Sequence, residues 1–263
     1  MLSHNRTPVP VLTYHRVLPA SGPLAISTAE FEKHLRWLKS NGYTTLTGAQ
    51  FSEYMAGHLD VARPVLLTFD DGYLDNLYLA LPLLKKYGFC ASLFVITNKI
   101  RDVRTKAVGS WHEQEDDRYL VWPEIDEMVA LGVFDVHSHT HTHTRFWLNE
   151  VDAIQTQEKI LEDVAKSLDI LRTRYANDIQ LAWPWGYFRS SWLPSICDLG
   201  VTVCHTMRPG TNFPAANLQT IRRFDAEVLG QKPLNYFKTA SHPWAGHVLN
   251  AAASAWGTVR GRS

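Results

Sequence analysis

Short, almost unbroken apolar runs alternate along this chain with stretches that repeat apolar residues every three or four positions. That alternation limits the folds open to it. VPVLTYHRV (9–17), RPVLLTF before Asp70, CASLFVIT (90–97), VFDVHS (133–138), IQLAWPWG (179–186), VTVCHT (201–206) and the Ile221–Phe224 segment read as strands. A strand apolar on both faces must be buried on both, which is the condition of a parallel sheet covered by helices. The spacing predicts those helices between the strands. One starts at Thr28 as N-cap, puts Phe31, Leu35 and Leu38 on one face and stops before Gly42. A second runs through LDNLYLALPLLKKY to Gly88, a short third covers DEMVALG, and a long fourth follows Asn149 with Leu161, Val164, Leu168, Leu171 and Tyr175 in register.

With 263 residues and 45% hydrophobic content the chain can bury one sizeable core, and we read 1–263 as a single domain. At this length an α/β chain favours a closed barrel over an open sheet. Lys plus Arg equals Asp plus Glu at 26 each, so no global field attracts nucleic acid or an anionic membrane. Cys90, Cys197 and Cys204 form no C-x-x-C pair and read as reduced, buried thiols. The N-terminus lacks a basic segment followed by an apolar stretch, and no window approaches the roughly 18 apolar residues of a spanning helix, so a cytoplasmic location is expected. The polar region 98–118 is too long for a simple connection and is expected to form a rim loop or lid.

In a barrel, chemistry gathers at the C-terminal ends of the strands. Asp70-Asp71-Gly72, the histidine run and Pro184-Trp185-Gly186 all fall there. Two adjacent carboxylates at a sheet mouth repel unless a cation or a proton intervenes. A metal on one, with the other left as a base, resolves the conflict. The stretch GVFDVHSHTHTHTRFW places His137, His139, His141 and His143 at every second position. The chain has to leave the strand near Ser138, so ligands four apart meet across the turn: His137 with His141, or His139 with His143. Two histidines and a carboxylate leave open positions on zinc or a similar ion, as in a catalytic rather than a structural site.

These residues carry a resemblance. TFDDGYLDNLYLALPLLKKYGFCASLFV followed by SHTHTH resembles the polysaccharide deacetylase family with the NodB homology domain, carbohydrate esterase family four, over about Val9 to Arg223. The resemblance implies a distorted (β/α) barrel of about seven parallel strands. It also implies one divalent metal, with Asp71, His139 and His143 as ligands and Asp70 as general base. His137 and His141 are then not ligands. In the family an arginine of an Arg-Pro-Pro-Tyr type segment orients the catalytic aspartate, and the backbone N–H of the aromatic residue helps hold the oxyanion. Here Ala182-Trp183-Pro184-Trp185-Gly186 puts alanine in the arginine's place and Trp185 in the aromatic's. Arg222 or Arg223 is the expected substitute.

The family's C-terminal Leu-x-x-His is absent from that end of the chain, but Leu12-Thr13-Tyr14-His15 supplies it near the N-terminus. In this respect the chain is similar to the circularly permuted exopolysaccharide deacetylases of poly-N-acetylglucosamine systems. His15 then becomes the general acid, with Asp225 as the group expected to tune it. The implied reaction is metal-dependent removal of N-acetyl groups from an amino sugar in a polysaccharide, an oligosaccharide or a lipid-linked saccharide met at a membrane surface. Zinc is the expected ion, with cobalt or nickel as alternatives. Two rival readings carry their own marks. Asp135-x-His137-x-His139 fits the strand end of binuclear amidohydrolases and phosphoesterases, with His205 and His242 as later ligands. Loss of the arginine at 182 fits an inactive saccharide-binding homologue.

Overall fold

A computed structural model describes residues 6–104, 118–149, 152–175 and 178–229, together with Gly246 and Asn250. The region 98–118 expected to form a lid lies partly, and His242 wholly, outside the described residues. In chain order the elements are β1 (Val9–Tyr14), β2 (Arg16–Leu18), β3 (Ala25–Ser27), α1 (Thr28–Ser40), β4 (Thr44–Thr45), α2 (Gly48–Ala56), β5 (Pro64–Asp71), α3 (Leu81–Tyr87) and β6 (Ala91–Val95). They continue with α4 (Trp122–Ala130), β7 (Phe134–Ser138), α5 (Ala153–Arg174), β8 (Leu181–Ala182), α6 (Leu193–Asp198), β9 (Cys204–His205), β10 (Thr211–Asn212), β11 (Phe224–Asp225) and α7 (Ala226–Leu229). None of the helices described is long and apolar enough to cross a membrane.

The central sheet runs in the order β10-β1-β5-β6-β7-β8-β9, with β11 also on β1 and β4 on β5. Its pairings are parallel except for β1 with β10. The expected α/β class with a mostly parallel sheet is therefore present. A closed barrel is not established by this order. Between β9 and β1 the connection is carried by a single bridge, His205 to Ile221, and by the two-residue β11 pairing Leu12 with Phe224.

Alternation along the strands divides the interior in two. Leu12 and Tyr14 of β1 and Val65, Leu67 and Phe69 of β5 face the helices and join the larger core with Phe31, Leu35, Leu84, Ile125, Val164 and Leu168. Val9 and Val11 of β1 and Leu66 of β5 face the other way and pack with Phe51, Tyr54 and Met55 of α2. Toward the C-terminal strand ends that second face turns polar: Thr68, Asp70, Ser92, His137, His205 and Arg223 are all buried. Helix α2 closes the base of this polar interior. Its Gly48 N–H donates to Asp135 Oδ2 at 2.6 Å, and its Gly48 carbonyl accepts from Gln180 Nε2 at 2.8 Å.

Several local expectations shift by a residue or two. Ser27, not Thr28, is the N-cap of α1: its hydroxyl accepts from Glu30 N, while Thr28 Oγ1 donates to the Leu18 carbonyl. The long apolar run after Leu74 is not one α-helix. Residues Asn76–Ala80 form a π-helical turn before α3, where Pro82 has no N–H to offer an α-helical bond. The expected strand 9–17 breaks at His15 into β1 and β2. Of the cysteines only Cys204 is buried; Cys90 is half-buried and Cys197 is exposed, because α6 turns Cys197 outward.

Gly48 is the tightest contact in this base. A Cβ there would lie 2.3 Å from His137 Nε2 and 3.0 Å from Asp135 Oδ2. Gly48→Ala should therefore push the His137–Asp135 pair apart and destabilise the protein by about 1–3 kcal/mol, the usual scale of overpacking, measured as a lower urea midpoint at unchanged m.

Candidate active site and metal centre

Asp70 and Asp71 end β5, where simple alternation would send their side chains to opposite faces. Asp71 takes a left-handed backbone (φ 75°) and Gly72 follows at φ 82°. Both carboxylates consequently reach the same imidazole: Asp70 Oδ2 lies 3.9 Å and Asp71 Oδ1 3.5 Å from His139 Nε2. His139 stands just past β7, held by its N–H to the Val95 carbonyl. His143 Nε2 sits 3.1 Å from His139 Nε2 and 3.8 Å from Asp71 Oδ1. Each of the three residues thus offers a ligand atom within 4.8 Å of the others.

The donor chemistry of this triplet fits a cation. His139 Nδ1 lies 2.8 Å from the Ala182 carbonyl, which can only accept, so the ring donates from Nδ1 and turns Nε2 toward His143 and Asp71. Burial, reinforced by the nearby His139, holds His143 well below the usual imidazole range and therefore neutral. Asp71 Oδ1 is buried and has no hydrogen-bond partner among the described residues. Two nitrogens and a bare carboxylate oxygen converge on one point, where a divalent ion would satisfy all three.

Asp70 has a different partner. Arg223 grips it bidentately, Nη1 to Oδ1 at 2.8 Å and Nη2 to Oδ2 at 2.9 Å, with both side chains buried. Burial alone would raise this carboxyl's pKa; the charge of Arg223, then that of His139, more than reverse it and hold Asp70 ionised. Of the two arginines considered from the sequence, Arg223 is thus the one that holds Asp70, while Arg222 donates to the Pro209 carbonyl at 2.9 Å.

His15 reaches the same mouth from β1. Tyr14 lies opposite Phe69 in the β1–β5 ladder, so the next residue of each strand is His15 and Asp70. The turn is pinned from β5's side: Asn76 Nδ2 donates to the His15 carbonyl at 3.0 Å, and Val17 N donates to Asp75 Oδ1 at 2.8 Å. The group expected to tune His15 was Asp225, and the structure gives that place to Glu227. Glu227 Oε2 is 3.1 Å from His15 Nδ1, while Asp225 Oδ1 instead accepts Glu227 N at 3.0 Å and starts α7. Burial would lower the His15 pKa, but the hydrogen bond and charge of Glu227, then the charges of Asp70 and Asp71, raise it to about 9. Nδ1 is engaged, which leaves Nε2 as the nitrogen available to a substrate.

His137 and His141 are held elsewhere. His137 Nε2 pairs with Asp135 Oδ2 at 3.1 Å and its Nδ1 accepts from Gln180 N at 3.2 Å, so neither nitrogen is open to a metal. That removes the ligand on which the binuclear reading depends. His205, its later histidine, is buried with Nε2 2.7 Å from Gln180 Oε1. His141 Nδ1 meets Thr97 Oγ1 at 2.9 Å on the rim. Trp185 stands at the mouth, 45% exposed with φ 54°, its ring 4.0 Å from that of His143 and capped by the Arg145 guanidinium at 4.1 Å. The next residue fixes this turn, since a Cβ on Gly186 would fall 2.4 Å from Met207 N. Trp147 stacks on Tyr187 at 4.2 Å beside it. Glu227, Asp75 and Asn76 went unseen in the sequence, because nothing in their spacing marks them as partners of a residue some 60 or 200 positions away.

A family model described as polysaccharide deacetylase matches residues 60–204. YxkH of Bacillus subtilis (strain 168) is 32% identical over 203 residues, covering 77% of this chain and 65% of that protein. The poly-beta-1,6-N-acetyl-D-glucosamine N-deacetylase of Staphylococcus epidermidis is 27% identical over 205 residues, covering 76% and 67%. The chain thus spans about two thirds of the length of these relatives. Among solved structures, IcaB from Ammonifex degensii superposes with a TM-score of 0.73 at 26% identity, covering 89% of this chain and 98% of that one.

Removing any one of the three converging donors should empty the site. Asp71→Ala, His139→Ala and His143→Ala are each expected to lose stoichiometric zinc by elemental analysis after dialysis. His141→Ala should retain it; a His141 variant that loses the metal would reassign the ligands.

Proposed function

Because the chain belongs to the polysaccharide deacetylase family, we propose that it hydrolyses N-acetyl groups from an amino sugar in a polysaccharide, oligosaccharide or lipid-linked saccharide, using one divalent ion, zinc before cobalt or nickel. The observation that carries this reading is Asp71 Oδ1, a buried carboxylate oxygen left bare and aimed at two imidazole nitrogens, beside a second carboxylate held ionised. The first is the mark of a cation site and the second of a general base. The name of the Staphylococcus epidermidis relative points to the same substrate class.

Asp71, His139 and His143 would hold the ion, which when bound would polarise an acyl oxygen and lower the pKa of a water. The rest is done by side chains of this chain. Asp70, oriented by Arg223, takes a proton as the water's oxygen attacks the amide carbon. The Trp185 N–H donates to the oxyanion that forms. His15, kept protonated by Glu227, gives its Nε2 proton to the nitrogen as the C–N bond breaks, releasing acetate and a free amine. The proton on Asp70 returns to His15 through solvent, closing the cycle. The pairing of Arg223 with Asp70 supports this reading over an inactive homologue, since it supplies the contact expected of the arginine missing at Ala182. The same reading takes Ile221–Asp225 as the seam of a distorted barrel, because that segment bonds β9 at one end and β1 at the other.

Acetate release from a panel of N-acetylated oligosaccharides and lipid-linked saccharides, before and after chelation and metal return, tests the activity. Asp70→Asn should retain the metal while turnover falls roughly 10²–10⁴-fold, the worth of a general base. It should also unfold at lower temperature, since Arg223 stays buried without its counter-charge. Metal loss in Asp70→Asn would mean that the two aspartates have exchanged roles.

The alkaline limb of the pH profile belongs to His15. Its raised pKa keeps the acid loaded below about 9, so kcat/KM should fall as pH rises through that value, and a bound dication would bring the limb nearer neutrality. Glu227→Gln removes the largest of the contributions that raise it, leaving only the charges of Asp70 and Asp71 against the burial that lowers it. The limb should then move at least about one unit toward acid, and His15→Ala should abolish it. An unmoved limb in Glu227→Gln would place the acid on another residue.

A further inference from the structure

The segment between the two histidine ligands is not a helical turn. Thr140 (φ 66°) and His143 (φ 58°) both lie in the left-handed region, which non-glycine residues occupy only at a cost. Such a turn persists only if its surroundings hold it. On one side the loop after β6 does so: Thr97 N donates to the Thr140 carbonyl at 3.2 Å and Asn98 N to the His141 carbonyl at 3.0 Å. Within the turn, Thr140 N donates to Ser138 Oγ and His143 N to Thr140 Oγ1, both at 3.1 Å.

On the other side stands α5. Its Asp163, 8% exposed, accepts from His141 N at 3.0 Å through Oδ2 and from Thr142 N at 3.1 and 3.2 Å through Oδ1 and Oδ2. Two consecutive backbone N–H groups cupped around one anion form a nest, and bonds from them to a carboxylate are charge-assisted. One turn further along the helix, Ser167 Oγ meets Ser138 Oγ at 2.9 Å. The flanking residues Ile160, Val164, Leu168 and Leu171 are buried core, so this stripe of α5 carries a carboxylate where packing alone would ask for an apolar side chain. A buried carboxylate is costly unless it is fully hydrogen-bonded. Asp163 directs its acceptors to two of the three residues that lie between His139 and His143.

We propose that Asp163 is a positioning residue for the metal centre: by clamping the His141 and Thr142 amides from α5, it sets the spacing and aim of His139 and His143. This rests on the ligand assignment above. An asparagine cannot take its place fully, because its NH₂ would face one of the two N–H groups that a carboxylate oxygen now accepts. A plain helix-to-loop tie would stabilise the fold equally with and without metal. A clamp on the ligands changes affinity and ligand-field geometry.

The test uses the full chain with cobalt(II) as probe, comparing Asp163→Asn and Asp163→Ala with the unaltered protein and His139→Ala. Affinity is read by chelator competition, coordination by the visible d–d spectrum, and apo stability by circular dichroism. The expected result is a 10–100-fold weaker cobalt affinity with a shifted or weakened d–d band in variants whose apo forms remain folded. Should Asp163→Ala not fold, Asp163→Asn gives the same two readouts with the side-chain volume kept. Affinity within twofold and an unchanged spectrum would overturn the proposal, whatever happens to the melting temperature. If the unaltered protein bound no cobalt, or His139→Ala kept the full spectrum, the ligand assignment itself would fall, a result distinct from intact binding that ignores Asp163.

Discussion

The buried pair between Asp70 and Arg223 ties the chemistry to the architecture. It joins the end of β5 to the segment just before β11, residues 153 positions apart, through two bonds of 2.8 and 2.9 Å. Removing one member of such a pair strands a charge in the interior at a cost of roughly 3–5 kcal/mol. The pair also decides protonation, because without the guanidinium burial would push Asp70 toward its neutral form. Arg223 is further fixed by its Nε donating to the Thr206 carbonyl and by its place near the Phe94 ring. The same contact that draws the C-terminal segment against β1 and β5 therefore keeps one carboxylate ionised beside a second, bare one.

Around that pair the molecule accepts local strain. Asp71, Thr140, His143 and Trp185 all have positive φ without being glycine, and all four lie at the candidate site. The strain is offset by hydrogen bonds from neighbouring elements, the Asp163 nest and the Thr97–Asn98 amides among them. The polar interior below is arranged the same way: Asp135, His137, Gln180 and His205 form a chain of hydrogen bonds seated on Gly48 of α2. That base holds the strands bearing His139 and Ala182 without itself offering a ligand.

His15 illustrates how far reading along the chain extends. Its Leu-x-x-His pattern and its apolar strand were visible, and the β1–β5 ladder sets it level with Asp70. The break at His15, where β1 stops and β2 begins, was not visible, since VPVLTYHRV is apolar enough to run straight through. The break comes from Asp75 and Asn76, which bond the backbone there, and from Glu227 arriving from the far end of the chain. The tuning carboxylate was sought at Asp225 by proximity to the arginines; two residues further on, a helical turn aims Glu227 instead.

What the sequence determined by itself is what period and residue type encode. Apolar runs on both faces made the parallel sheet, the 3.6-residue repeat placed Leu35, Val164 and Leu168 in the core, and the clustered Asp70-Asp71 and His137 to His143 marked the site. The choice of His139 and His143 over His137 and His141 was already implied by family resemblance. Only in three dimensions do Asp135 and Gln180 occupy both nitrogens of His137 and does Thr97 bond His141 Nδ1. The tertiary structure alone decided Arg223 over Arg222, Glu227 over Asp225 and the clamp from Asp163. Each is a contact between residues distant in the chain, made by which strand lies beside which and by left-handed backbone turns. Neither neighbourhood nor a positive φ at Asp71 or Thr140 leaves a periodic trace in the order of residues.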